Sequence, residues 1–159
     1  MASKKHLHSM KRPSPDSDIV FQVKTEDCLL VWPRVAEFLE EALTRGLESS
    51  GADPDYDIGH IQNFVISGQW MLIVVVDKDS NIKGALTVAF IDYPLSRVAF
   101  ITSIGGKMIL SKDHMTQLNN VLREAGATKI QGMARKSIAR LSGRLGFSDS
   151  NRLVERSIK

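Results

Sequence analysis

Arg97-Val98-Ala99-Phe100-Ile101-Thr102-Ser103-Ile104-Gly105-Gly106-Lys107, followed from Ser111 by a helical pattern, is the stretch whose reading decides the fold. Residues 97–104 are rich in β-branched and apolar side chains, which suit a buried, pleated strand. From Ser111 the period changes. Met115, Leu118, Leu122 and Ala125 recur along one stripe of a helix, and Gly126 stands at its C-cap position. Residues 128–131 then predict a short strand. Strand, helix and strand in this order make a right-handed crossover, hence a parallel βαβ unit near residues 97–131.

Upstream, the pattern is antiparallel. Residues 70–77 and 82–92 are β-rich runs separated by the polar turn at residues 78–81, which predicts a hairpin, and Tyr93-Pro94-Leu95-Ser96 turns the chain back into the strand at 97. Residues 19–24 alternate apolar and polar side chains and predict a first strand. A helix follows, with Leu30, Val31, Val35, Phe38, Leu39 and Ala42 at helical spacing and a stop at Arg45-Gly46. Thr25 or Asp27 can cap it, whereas proline is tolerated only in a first turn, so Pro33 points instead to a start near Val31. Residues 47–56 read as a loop, and 58–67 as a second helix with Ile61, Phe64 and Val65 on one face. Beyond the βαβ unit, a helix is expected over 135–144 and a last strand over 152–158. The whole predicts one α/β domain over residues 19–159, a mixed, mainly antiparallel sheet with helices on both faces.

Composition excludes several functions. The longest apolar run, residues 70–76, is too short to span a bilayer, and nothing reads as a signal peptide, so a cytoplasmic protein with no membrane partner is expected. Cys28 is the only cysteine; it opens an apolar helical pattern and reads as buried filler. Of 21 basic and 18 acidic side chains, residues 1–18 hold four and two, leaving 17 and 16 for the domain. The domain is therefore nearly neutral, which argues against nucleic acid as a partner. Residues 1–18, with Pro13 and Pro15, read as a flexible basic arm that could order on a protein partner. His6 and His8 in that arm make a poor metal site, with no third ligand nearby.

The element order, together with Val31-Trp32-Pro33-Arg34-Val35, Gly105-Gly106 and the ending Arg140-Leu141-Ser142-Gly143-Arg144-Leu145-Gly146-Phe147, resembles the GNAT superfamily of acetyl-CoA-dependent N-acetyltransferases. It is similar in particular to short GNAT-like proteins of tailed phages and proteobacteria. The resemblance covers residues 20–158. It implies transfer of an acetyl group from acetyl-CoA to an amine acceptor, with the cofactor in a wedge between two strands and its pyrophosphate at the next helix's N-terminus. There, unsatisfied N–H groups and the helix dipole favour an anion. In this chain that place is Ile104, Gly105, Gly106 and Lys107, leading towards Ser111.

The chain departs from the family at two points. Many members carry Gln or Arg, two residues, Gly, one residue, then Gly or Ala at this loop, and the spacing here differs. The tyrosine that often protonates the leaving group falls, by position, on Ser142, a poorer proton donor at neutral pH. The asparagine common in the preceding loop falls on Arg135. A general base is also required, and the candidates are Asp92 and Tyr93 at the end of the long strand and Asp55, Tyr56, Asp57 and His60 before the second helix. The same departures fit an alternative, a catalytically degenerate binding or structural module such as a phage virion component.

Overall fold

The computed structural model describes residues 17–50, 55–108, 111–133, 145–148 and 153–159. Alternation sets the first strand, β1 (Ile19–Val23): Ile19, Phe21 and Val23 enter the core on one face of the sheet and Val20 on the other. A short 3-10 turn, Thr25–Asp27, leads into helix α1 (Cys28–Ser50). Helix α2 (Ile58–Ile66) precedes the strands β2 (Met71–Val76), β3 (Ile82–Tyr93) and β4 (Ser96–Gly106). Helix α3 (Lys112–Glu124) and strand β5 (Lys129–Gly132) complete the βαβ unit.

The five strands form one sheet in the order β1-β2-β3-β4-β5. Neighbours run antiparallel except β4 and β5, which are parallel, so the expected mixed sheet and crossover are both present. Helices cover both faces. Cys28, Trp32, Val35 and Leu39 of α1, with Ile61 and Val65 of α2, pack on Phe21, Leu72 and Val74. On the opposite face Met115, Leu118 and Leu122 of α3 pack on Ile73, Leu86, Val88 and Ala99.

Helix α1 corrects two expectations. It begins at Cys28, directly after Asp27 and not near Val31, so Pro33 lies inside it, and it runs through Gly46 to Ser50 where a stop and a loop were expected. Burying Cys28 and Trp32 on the face that carries Val35 and Leu39 recruits the earlier turn. Pro33 and Leu29 lie on the exposed side, where water can satisfy the Leu29 carbonyl that loses its intrahelical donor. At the other end of the chain, residues 153–159 form no strand; Leu153, Val154 and Ile158 are exposed, and alternation alone gives them nothing to bury against. The helix expected over 135–144 and the arm at 1–16 lie outside the described residues.

Candidate functional site

β4 pairs with β5 only from Val98↔Lys129 to Ile101↔Gly132. β5 ends there, while β4 continues for residues 102–106 with no β5 partner among the described residues. Among the described residues, the pairing of the two parallel strands thus ends at Ile101. On its other edge β4 is irregular at the same point: Thr87 pairs with Ser103 and Val88 with Ile101, which leaves Thr102 as the extra residue of a β-bulge.

The bulge is held by hydroxyls. Thr87 Oγ1 lies 2.7 Å from Thr102 Oγ1 and also hydrogen-bonds Ser103 Oγ. The Tyr56 phenol donates to the Thr102 carbonyl across 46 residues of sequence. Tyr56 is half-buried against Trp70, edge to face with ring centroids 5.4 Å apart, and Trp70 stacks on Phe64 at 4.4 Å. Burial, and then the nearby Asp55 carboxylate, push the phenol's pKa above its ordinary value, so Tyr56 is a neutral donor at physiological pH.

Asp57, His60 and Asp92, also expected as bases, hydrogen-bond neighbouring residues. Asp57 and His60 form the capping box of α2: Asp57 Oδ1 accepts from His60 N at 3.0 Å, and His60 Nδ1 accepts from Asp57 N at 3.0 Å. Asp92 and Tyr93 lie at the tip of the β3–β4 hairpin. Asp92 pairs across to Arg97, whose Nη1 donates to both carboxylate oxygens at 2.8 Å. Arg97 lies five residue steps before Thr102 on β4, roughly 16 Å of strand. The structure thus places Asp92 and Tyr93 at the hairpin tip, away from Thr102 along β4.

Gly105 and Gly106 lie where backbones approach closely. A Cβ on Gly105 would lie 2.2 Å from the Phe38 carbonyl oxygen of α1, and one on Gly106, at φ +69°, would lie 2.6 Å from the Lys83 carbonyl oxygen. The pair lets helix and strand backbones approach each other. The Lys107 N–H donates to the Lys83 carbonyl at 2.9 Å, and Met108 is buried. Ile104 is partly buried against the α3-side core. Cations nonetheless flank the connection to α3, because the Lys107 and Lys112 side chains are exposed. Ser111 caps α3 by accepting from His114 N at 3.2 Å, and the first N–H groups of the helix beyond that bond have no intrahelical acceptor. Arg135 and Ser142 lie outside the described residues.

Sequence reasoning missed Thr87, Thr102 and Ser103. The available signal was the adjacent Thr102-Ser103, two hydroxyls in succession inside an otherwise apolar strand.

The structural comparisons place this architecture among acetyltransferases. The chain is similar to a predicted acetyltransferase with acetyl-CoA from Clostridium acetobutylicum, at 18% identity and a TM-score of 0.56, covering 89% of this chain and 97% of the other. It is similar to an aminoglycoside acetyltransferase from an uncultured soil metagenomic sample in complex with sisomicin (14% identity, TM-score 0.61, 89% and 95% covered). A further aminoglycoside acetyltransferase from such a sample matches at 13% identity and a TM-score of 0.63, over 90% and 99%. No protein-family model matches the chain, and no curated protein sequence does. The fold is that of GNAT-type acetyltransferases. Among the described residues no helix is long and apolar enough to cross a membrane.

Proposed function

We propose that the chain is an acetyl-CoA-dependent N-acetyltransferase whose cofactor lies along the open edge of β4 at residues 102–106. The parting of β4 from β5 at Ile101↔Gly132 carries this reading. A strand edge without a partner among the described residues offers backbone donors and acceptors to any extended chain of amides, and the pantetheine arm of coenzyme A is one. The residues present fit such an arm. For the phosphates they fit in a different way from the glycine cradle: the Lys107 and Lys112 side chains and the first turn of α3 supply the positive potential there.

Bound acetyl-CoA would supply an activated acyl group to an amine. Backbone N–H groups beside the Thr102 bulge are the donors available to a carbonyl oxygen at the parting. Tyr56, protonated and engaged with Thr102, orients rather than abstracts. Asp55 acts on the Tyr56 phenol electrostatically and is the candidate base for the acceptor's ammonium proton. Ser142 stands at the family's leaving-group position as a poorer proton donor, and Arg135, in place of the family's asparagine, is a candidate for a phosphate. The test is thermal: acetyl-CoA at about a hundred times its Kd should stabilise the protein by about 2.7 kcal/mol, read as a raised melting temperature. No shift, and no effect of desulfo-coenzyme A, would remove the reading.

The packing role of Gly105 and Gly106 favours a second reading, a GNAT fold with catalysis lost. Residues 1–18 would then dock on a protein partner, as a virion component's arm could. Under this reading, removing the arm abolishes association with that partner and acetyl-CoA has no thermal effect.

A further inference from the structure

A β-bulge inserts a residue whose carbonyl leaves the ladder, and a strand with one flexible extra residue can slip its register and exchange its two faces. Here the extra residue is Thr102, at the position where β4 loses β5. Three hydroxyl contacts converge on it from two elements: Thr87 from β3 reaches Thr102 and Ser103, and Tyr56 from before α2 takes the Thr102 carbonyl. Thr87 is fully buried and Tyr56 is fixed by Trp70, itself stacked on Phe64. The Tyr56 ring packs against the α1-side core, while its phenol is spent on the Thr102 carbonyl.

We infer that Tyr56 is a positioning residue: its phenol holds the Thr102 carbonyl out of the ladder, so that the open edge of β4 presents residues 102–106 in the one register that can receive an extended acyl-carrying arm. The inference rests on the acetyl-CoA reading above and deepens it, by naming the residue that couples the segment before α2 to the cofactor edge. Tyr56 acts through Thr102 and touches no reacting atom.

Tyr56→Phe keeps the ring against Trp70 and removes only the hydrogen bond. The full-length wild type and Tyr56→Phe are titrated calorimetrically with coenzyme A and, separately, with 3′-phospho-ADP, which is the nucleotide end without its pantetheine arm. The expected result is a loss of about fivefold in coenzyme A affinity, the scale of one hydrogen bond. Affinity for 3′-phospho-ADP should stay within about twofold, because its contacts lie beyond the bulge. The carbonyl carbon resonance of Thr102 should move in the variant as well. Thr87→Val removes the hydroxyl on the other side of the bulge at nearly unchanged volume, and it should reproduce the same split between ligands if Tyr56→Phe folds poorly. Equal coenzyme A affinity in wild type and variants overturns the role of Tyr56 alone. So does a parallel loss for both ligands, which would mark a general loosening of the fold. A wild-type protein that binds neither ligand overturns the acetyl-CoA reading, and the positioning role falls with it.

Discussion

Asp18 receives Lys83 Nζ at 2.8 Å and His114 Nε2 at 2.9 Å on the same carboxylate oxygen, while Gln117 of α3 donates to its backbone carbonyl at 3.0 Å. Three separate segments meet at one largely buried anion. Burial by itself would raise the carboxyl's pKa, but the hydrogen bonds and charges of Lys83 and His114 outweigh it, and the net shift is downward. A carboxyl whose folded pKa is depressed stabilises the fold above its unfolded pKa, and this contribution is lost as pH falls through the lower folded value. Asp18→Asn should therefore lower stability by about 2 kcal/mol at pH 7 in denaturant titrations. The gap to wild type should close below about pH 4. Cys28 behaves as its apolar setting predicts: burial, then Asp27 and Glu26, push its thiol up to about 11. It should resist iodoacetamide at pH 8 in the folded protein and react once the protein is unfolded, as mass spectrometry would record. Gly105→Ala sets a methyl against the Phe38 backbone, and a loss of about 3 kcal/mol is expected, since neither backbone can yield cheaply.

Helix α1 shows where local rules were overridden. Pro33 reads locally as a helix start, yet tertiary burial of Cys28 and Trp32 extends the helix backwards past it. Pro33→Ala should restore the bond to Leu29 on the exposed side and stabilise the protein by about 1 kcal/mol or more, measured as an upward shift of the unfolding midpoint. Strands, turns and the crossover were legible because alternation, the polar stretch at 78–81 and the change of period at Ser111 are local signals. The bulge was not, since two strands must be registered against each other before an extra residue exists, and no single strand contains that information. The site was legible in the same proportion. Residues 104–107 sit at the end of β4 next to α3, whereas Asp92 and Tyr93 lie at the tip of the β3–β4 hairpin, which projects beyond both the bulge and β2. Tyr56 emerged from a field of equal candidates only when the fold brought it to Thr102.

At the scale of the molecule, the sheet is a plate between two apolar layers, with α1 and α2 on one face and α3 on the other. The open length of β4 is the one place among the described strands where two parallel neighbours separate. Everything proposed for this protein depends on that edge receiving an extended ligand. The most direct measurement is backbone amide chemical-shift mapping during titration with coenzyme A. The account predicts perturbation and slowed hydrogen exchange concentrated at residues 102–106 and at Lys112 and Asp113 of α3, with the hairpin tip at Asp92 and Tyr93 unaffected. Saturable binding that perturbs other surfaces and leaves residues 102–106 unchanged, or an absence of binding, would contradict it.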